Sequence, residues 1–183
     1  MTALASRSQL RASLIRWALV TVPGVVLLGF LAGQIGGGAD TLWFQSLEKP
    51  VIYPPAATFG IVWGVLYAVI GFAFALVGAA YGARQRKLAI LLFIMQLLLN
   101  LAWTPLFFGA YQISGALVLL FILDIAVIAT TAIFWQVRRT AGLLMLPYLA
   151  WVLFATLLNW QFLHLNPNAD GVRASSEAGR IEP

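Results

Sequence analysis

Very few side chains in this sequence could do conventional acid, base or metal chemistry. The 183 residues include one histidine, no cysteine and six acidic residues. The lack of cysteine excludes disulfide frameworks, thiolate metal sites and cysteine nucleophiles. No carboxylate pair, metal-ligand cluster or Ser-His-Asp set can be assembled around His164 and Asp124. We therefore predict no metal site, no cofactor and no ordinary catalytic residue.

Aromatic and amide side chains, by contrast, recur at helical spacing in three separate apolar stretches. The three faces consist of Phe59, Trp63 and Tyr67; of Gln96, Asn100, Trp103 and Phe107; and of Tyr148, Trp151, Ala155, Asn159 and Phe162. Polar side chains avoid lipid, so these faces are expected to point inward. Rings can stack on a flat ligand while amides orient its polar rim. The pattern predicts an aromatic-lined pocket; the alternative is that these side chains only hold the helices together.

The elements that carry these faces are predicted to be membrane-spanning helices. With 62% hydrophobic and 9% charged residues, a chain this short cannot hide its apolar surface in a soluble globule. Apolar stretches of the roughly 20 residues that cross a bilayer recur between charge clusters. The predicted helices cover about residues 13–33, 55–81, 88–108, 116–136 and 141–164. The fold class is therefore an all-α membrane protein, a five-transmembrane-helix bundle within a single domain of residues 1–165.

Basic residues predict the orientation of this bundle. Eight of the 11 Lys and Arg flank the predicted helices on one side, namely Arg7, Arg11, Arg16, Arg84, Arg86, Lys87, Arg138 and Arg139. Because cytoplasmic loops retain basic residues, we expect a bacterial cell-membrane protein with its N-terminus in the cytoplasm and its C-terminus outside. The Arg-rich first helix would also fit a signal peptide. The net charge of +5 forms no continuous stripe, so nucleic acid is not an expected partner.

The longest connection, residues 34–54, is predicted to lie outside the membrane. It starts with three glycines from Gly36, which are flexible, whereas Trp43 suits the headgroup region. The loop is either a lid over the pocket or a plain tether with interfacial aromatics. At the other end of the chain, the polar tail of residues 166–183 is predicted to be disordered.

The second predicted helix carries a stripe of small residues spaced three or four apart. They are Gly60, Gly64, Ala68, Gly71, Ala75, Gly78 and Gly82. Small residues allow another helix to approach closely, which is a main source of helix association in lipid. We predict a packing face, either within the bundle or against a second subunit.

Asp124 is a formal charge well inside a predicted helix. A carboxylate at mid-bilayer costs about 2.5–3.5 kcal/mol on insertion scales, so Asp124 is expected to need a proton, a hydrogen-bond partner or both. Two roles stay open. One is a proton relay or ligand contact, and the other is a structural hydrogen bond across helices or at a dimer interface. His164, at the end of the fifth helix, is interpreted as an interfacial residue rather than a metal ligand.

Several short motifs between Trp43 and Asn166 form a specific combined pattern. They are Trp43, Leu47-Glu48-Lys49-Pro50, Pro54-Pro55, Phe59-Gly60, Trp63, Leu66-Tyr67, Gly71, Asn100-Leu101-Ala102-Trp103-Thr104-Pro105-Leu106-Phe107-Phe108-Gly109, Thr130-Thr131, Pro147-Tyr148-Leu149-Ala150-Trp151, Ala155, Leu158 and Asn159. In these motifs the chain resembles the TspO/MBR family of tryptophan-rich sensory proteins, whose animal members are called translocator protein or peripheral benzodiazepine receptor.

The resemblance implies a five-helix bundle, commonly a homodimer, whose pocket takes porphyrins such as protoporphyrin IX as ligands rather than cofactors. It also implies a role in tetrapyrrole-linked regulation or stress responses. The family's pocket tryptophans match Trp63 and Trp151, and its small residue beside the latter matches Ala155. Faces and motifs together give the candidate ligand-binding residues Trp43, Pro50, Trp63, Tyr67, Asn100, Trp103, Tyr148, Trp151, Ala155 and Asn159.

The sequence leaves three functions open. The leading one is a membrane receptor or transporter for a porphyrin or haem precursor. The second is light-dependent oxidative degradation of protoporphyrin IX, reported for some bacterial members of the family, in which Trp63 and Trp151 would take part. The third is a proton-coupled small-molecule transporter that uses Asp124. Cholesterol is not an expected ligand, because Trp160 and His164 stand where the animal sterol motif needs a tyrosine and a basic residue.

Overall fold

The computed structural model describes residues 7–35 and 37–171. Its α-helices are α1 (Arg7–Gln34), α2 (Leu42–Ser46), α3 (Ala56–Gly78), α4 (Arg86–Thr104), α5 (Ile113–Val137) and α6 (Arg139–Leu165). Five of them, all except α2, are long and apolar enough to cross a membrane. The described part of the chain contains no strand. The predicted all-α, five-helix membrane bundle is therefore confirmed.

The C-terminal ends of α3 and α4 differ from the prediction, and a specific residue explains each of them. α3 ends at Gly78, before the expected residue 81, where Arg86 donates from Nε and Nη2 to the Gly78 carbonyl oxygen at 3.0 and 2.8 Å. Pro105 ends the regular part of α4, since proline has no N–H to donate. The chain continues as a π-helical turn, Pro105–Gly109, in which the Ala110 N–H donates to the Pro105 carbonyl oxygen at 2.9 Å.

The spanning helices enclose a central space. α1 packs against α3, α3 against α6, α6 against α5 and α5 against α4, and α1 also touches α4. α5 and α6 are antiparallel neighbours because one extended residue, Arg138, separates them. We call the end where α1, α4 and α6 begin the basic end, and the opposite end, with the 35–55 connection, the loop end.

The interior is filled toward the basic end. Phe93 stacks between Phe74 and Phe134, with ring centroids 4.2 and 5.8 Å away and interplanar angles of 8° and 17°. Phe93 and Phe134 are 1% and 0% exposed. These stacked rings pack α3, α4 and α5 together.

Part of the small-residue stripe of α3 packs against α1. A Cβ added at Gly71 would lie 2.9 Å from Val22 Cα and 3.0 Å from the Thr21 carbonyl oxygen, and one at Gly78 would lie 2.5 Å from the Trp17 ring. The Thr21 hydroxyl donates to the Gly71 carbonyl oxygen at 2.8 Å. In this half the predicted packing face exists, and its partner is α1 of the same chain.

Residues 166–171 fold over the loop end, whereas disorder was predicted from residue 166. Asn166 accepts from the Glu48 N–H at 2.8 Å and donates to the Glu48 carbonyl oxygen at 3.0 Å. The Asp170 carboxylate accepts from the N–H groups of Ile113 and Ser114 and from the Ser114 hydroxyl, so it caps the first turn of α5. These hydrogen bonds order the segment of residues 166–171, although its polar composition predicted disorder. The predicted tail beyond it, residues 172–183, lies outside the described residues, as does Gly36 of the glycine run.

Candidate ligand-binding site

A cavity of about 530 Å³ lies inside the loop end of the bundle. Its volume falls within the roughly 300–1,000 Å³ that is typical of small-molecule sites. All five spanning helices and the 35–55 connection contribute to its wall. The aromatic residues of the wall are Phe30, Phe44, Tyr53, Phe59, Trp63, Tyr67, Trp103, Phe107, Phe108 and Phe162. The cavity is therefore an apolar, ring-lined chamber.

Six of the ten candidate residues line this cavity. They are Trp63 and Tyr67 of α3, Asn100 and Trp103 of α4, and Ala155 and Asn159 of α6. Residues three or four apart lie on one face of a helix, and these three faces converge on one space. The three faces expected from the sequence thus converge on one cavity.

Hydrogen bonds fix the polar groups of the wall. The Tyr67 hydroxyl donates to Asn100 Oδ1 at 2.8 Å, and Trp103 Nε1 donates to Asn159 Oδ1 at 3.2 Å. Asn159 Nδ2 donates in turn to the Ile113 carbonyl oxygen at 2.9 Å. These bonds tie α3 to α4, α4 to α6 and α6 to α5. Asn100 Nδ2 has no partner among the described residues, which leaves an N–H group for a ligand acceptor.

Two candidate residues of α6 stand behind the wall rather than in it. Tyr148 is fully buried, and its hydroxyl donates to Gln96 Oε1 at 2.8 Å. The ring centroid of Trp151 lies 6.5 Å from that of Trp63, at an interplanar angle of 87°. Tyr148 also meets Trp63 edge to face, at 6.4 Å. Both side chains therefore support Trp63 and do not themselves line the cavity.

Trp43 and Pro50 shape the connection over the cavity without lining it. Trp43 Nε1 donates to the Ala169 carbonyl oxygen at 3.2 Å, and its ring packs edge-on against Phe107 at 5.6 Å. The Pro50 carbonyl oxygen accepts from the Tyr53 N–H at 2.9 Å and turns the chain so that Tyr53 reaches the cavity. The connection therefore covers the loop end of the chamber, as a lid would.

Burial shifts the pKa of two titratable side chains in this cover, Lys49 and Tyr53. Lys49 Nζ donates to the carbonyl oxygens of Gln45 and Leu47 at 3.0 and 2.7 Å, and to that of Phe44, and thereby caps the end of α2. Burial lowers the pKa of Lys49 from its ordinary 10.5 and raises the pKa of Tyr53 from its ordinary 10.0. In both cases the charged form loses solvation, so Tyr53 is a neutral phenol at neutral pH.

Part of the wall was not predicted from the sequence. α1 contributes Val26, Gly29, Phe30, Gly33 and Gln34. An added Cβ would meet nothing within 4 Å at Gly33 of α1, nor at Gly60 and Gly64 of α3, all of which line the cavity. In the loop half of α3, the glycines of the predicted packing face therefore line the cavity and do not pack against another helix of this chain. The sequence contained a signal for this part of the wall, since small residues stand four apart in both helices, at Gly29 and Gly33 in α1 and at Gly60 and Gly64 in α3.

Asp124 lies outside this wall. It is 7% exposed, and the Thr156 hydroxyl donates to its Oδ2 at 2.9 Å. Its Oδ1 is buried with no partner in the described part of the chain. The sequence left two roles open for Asp124. The geometry shows the structural one, because Asp124 of α5 accepts a hydrogen bond from Thr156 of α6. His164 stacks on Trp160, with ring centroids 5.9 Å apart.

The sequence matches known proteins over most of its length. The model of the TspO/MBR family matches residues 19–165. Human translocator protein is 40% identical over 133 residues, which are 72% of this chain and 79% of the relative. Sheep translocator protein is 38% identical over 164 residues (88% and 94%), and the tryptophan-rich protein TspO of Chlorobaculum tepidum is 36% identical over 141 residues (76% and 89%). The chain therefore belongs to the TspO/MBR family, as a multi-pass integral membrane protein of the TspO receptor or transporter type.

Proposed function

We propose that this protein binds a porphyrin, with protoporphyrin IX as the test case, in the cavity at the loop end of the bundle. The observation that carries the proposal is the aromatic wall. Trp63 is stacked on Tyr67 with centroids 5.3 Å apart, and Trp103 is stacked on Phe107 at 5.1 Å. Offset contacts between such rings and a flat macrocycle contribute about 0.5–1.5 kcal/mol each beyond the burial of area.

The uncharged wall of the described cavity suits a macrocycle that enters with its apolar ring ahead of its carboxylates. None of the residues that line the described cavity is acidic or basic. A porphyrin carboxylate buried there would lose solvation without a cationic partner, which is costly. The carboxylates are therefore proposed to stay at the mouth near Gln34 and Gly38, while the Asn100 amide meets the polar centre or rim of the ring.

The cover suits a receptor or transporter, because movement of the connection would widen access to the cavity from the loop end. Phe44 and Tyr53 of this connection line the cavity, and their rings lie 6.0 Å apart. The cover is held mainly by ring contacts and a few hydrogen bonds, which are interactions that open at modest cost. We propose that opening of this cover controls porphyrin exchange and so couples binding to transport or to tetrapyrrole-linked signalling.

The decisive test is a protoporphyrin IX titration of Trp63→Ala, followed by porphyrin absorbance in detergent. We expect affinity to fall about tenfold, the equivalent of about 1.4 kcal/mol, because a stacking face is lost. Trp160→Ala is the matched control, since Trp160 is 50% exposed and absent from the cavity wall. Trp151→Ala is expected to weaken binding less than Trp63→Ala, because Trp151 acts through Trp63. Unchanged affinity in a folded Trp63→Ala variant, or an equal loss in Trp160→Ala, would contradict the proposal.

A specific observation also favours light-dependent oxidation of the bound porphyrin. Trp63 lines the cavity, and Trp151 touches it from behind with ring centroids 6.5 Å apart. Such a pair could exchange electrons with a light-excited porphyrin while dissolved oxygen acts as the oxidant. Illumination of the purified protein with protoporphyrin IX in air should bleach the porphyrin faster than in a Trp63→Phe, Trp151→Phe double variant. Identical bleaching would assign the reaction to the dye alone.

We infer further that the loop end faces away from the cytoplasm. The described basic residues that flank the spans concentrate at the other end, and cytoplasmic loops retain such residues. The chain has no cysteine, so a single introduced thiol reports its side of the membrane. In intact bacterial cells, a membrane-impermeant maleimide should label Val51→Cys, which is fully exposed at the loop end, and not Arg84→Cys. The reverse labelling pattern would invert the orientation.

A further inference from the structure

The basic end carries positive charge that no acidic residue of the described chain balances. Its basic residues include Arg11, Arg16, Arg84, Arg86, Lys87, Arg138 and Arg139. Within residues 7–35 and 37–171 the acidic side chains are Asp40, Glu48 and Asp170 at the loop end, and Asp124 in the interior of α5. Internal ion pairs therefore cannot neutralise this end. Its counter-charges must come from outside the described chain.

Arg86 is committed to the fold. Its Nε and Nη2 donate to the Gly78 carbonyl oxygen at 3.0 and 2.8 Å. The guanidinium carbon lies 4.6 Å from the ring centroid of Tyr81 and 5.7 Å from that of Trp17. These contacts satisfy the end of α3 and hold Arg86 in place. Arg86 is therefore a structural arginine.

Arg138 is in a different situation. Its side chain is exposed and has no hydrogen-bond or ion-pair partner among the described residues. It lines a second cavity, of about 350 Å³, at the basic end. The first turns of α1 and the turn of residues 79–83 form the rest of the wall. A free guanidinium at a concave site is suited to bind a phosphate, because its fork of donors matches phosphate oxygens.

Ser13 supplies a second donor in the same cavity. It is only 8% exposed and lines the wall, and its hydroxyl makes no hydrogen bond within the part of the chain that the structure describes. The hydroxyl opens onto the cavity, where it is able to donate one hydrogen bond to a bound molecule. Ser13 and Arg138 line the same cavity, so an acceptor bound there could take a hydrogen bond from each of them.

We propose that this second cavity binds the headgroup of an anionic phospholipid, with Arg138 as charge partner and Ser13 as hydroxyl donor. The cavity lies at the ends of the spanning helices, which is the depth of lipid phosphates, and basic pockets between helices bind anionic headgroups there. Leu10, which is 50% exposed, continues the wall along α1 and offers an apolar surface for the acyl chains. A free phosphate ion would not use that surface.

The test compares lipids that differ in headgroup charge. Dioctanoyl phosphatidylglycerol, dioctanoyl phosphatidylcholine and inorganic phosphate are titrated separately into the full-length protein in neutral detergent, with native mass spectrometry as the readout. We expect phosphatidylglycerol to bind about tenfold more tightly than phosphatidylcholine, and Arg138→Gln to abolish this difference, because a charged hydrogen-bond donor is lost. Ser13→Ala is expected to weaken phosphatidylglycerol by about threefold for the loss of one neutral hydrogen bond.

Arg139→Gln is the matched control. It removes the same charge one residue away but does not line the cavity, so we expect less than about a twofold change through screened charge alone. Equal losses in Arg138→Gln and Arg139→Gln would overturn the site in favour of diffuse surface charge. Inorganic phosphate that binds as tightly as phosphatidylglycerol would overturn the lipid assignment. Should Arg138→Gln not fold, unchanged phosphatidylglycerol affinity in Ser13→Ala would still contradict the proposal. Porphyrin binding at the opposite end is measured separately, so either proposal can fail alone.

Discussion

The two halves of α3 use the same kind of residue with opposite results. Toward the basic end, Gly71 and Gly78 bring α3 against Val22 and Trp17 of α1, where an added Cβ would come within 2.9 and 2.5 Å of its neighbours. Toward the loop end, Gly64 faces space in which an added Cβ would meet nothing within 4 Å. The difference lies in the partner helix. Toward the basic end, α1 lies directly against the glycines of α3, whereas toward the loop end Gly64 of α3 and Gly33 of α1 face the chamber.

The strongest way to break this comparison is to add one methyl group to each half. Gly71→Ala is expected to destabilise the protein by about 1–3 kcal/mol, because the new Cβ meets the backbone of α1, which cannot move aside like a flexible side chain. Gly64→Ala places the same group in open space and is expected to be neutral, or to stabilise by up to about 1 kcal/mol through helix propensity.

Thermal unfolding in detergent measures both variants under identical conditions. Porphyrin is left out of this experiment, since bound ligand would raise the apparent stability of either protein. Equal melting temperatures for Gly71→Ala and Gly64→Ala would show that the two halves of the stripe do not differ in packing.

A larger side chain in the open half sharpens the comparison from the side of function. Gly64→Leu is expected to lower protoporphyrin IX affinity about tenfold, near 1.4 kcal/mol, because the leucine occupies space that the ligand needs. Stability should be little changed, since the volume is available. Gly24→Leu is the control, because its added Cβ also meets nothing within 4 Å but Gly24 does not line the cavity. A Gly64→Leu variant with unchanged affinity would place the ligand elsewhere.

The sequence predicted the spanning helices and the converging faces because both depend on properties of one helix at a time. Length and hydropathy determine a span, and a spacing of three or four residues places Asn100 and Trp103 on one face. Whether a side chain lines the cavity or packs behind another side chain depends on the neighbouring helices. Trp151 shares a face with Ala155, yet it stands behind Trp63, so the spacing could not distinguish wall from support.

Long-range contacts explain the remaining differences. Glycines of α1 and α3 line one chamber only because these two helices pack side by side, and no periodicity within one helix reports that pairing. The ordered segment of residues 166–171 is held by bonds to Glu48 and Ser114, which lie far away in the chain. Its polar composition predicted disorder because composition does not record such partners.

The loop end of the bundle holds the cavity and is covered by the 35–55 connection, whereas the basic end is packed with rings. Asn166, at the end of α6, holds this cover through hydrogen bonds to Glu48. Asn166→Ala removes both hydrogen bonds to the Glu48 backbone, and each is worth about 0.5–1.5 kcal/mol. We expect porphyrin to dissociate about fivefold faster, as stopped-flow absorbance would show, with little change in the melting temperature of the protein. Asn168→Ala is the control, since Asn168 is exposed and has no hydrogen bond among the described residues. Equal dissociation rates in the two variants would mean that the 166–171 segment does not restrain the cover.

The smallest expected effect comes from Tyr53, a titratable side chain of the cover that is packed among rings. Tyr53 packs against Phe59 and Phe162 with ring centroids 5.4 and 5.6 Å apart, and burial raises its pKa above the ordinary 10.0. A group whose folded pKa is raised contributes stability that is complete below its unfolded pKa and is lost as the pH rises through the folded value. Porphyrin dissociation should therefore accelerate slightly as the pH rises above about 10, the ordinary phenol value, toward the raised folded pKa of Tyr53. Tyr53→Phe keeps the ring and removes the proton, so the acceleration should vanish. An identical pH profile in Tyr53→Phe would assign the effect to another group and remove Tyr53 from the working parts of the cover.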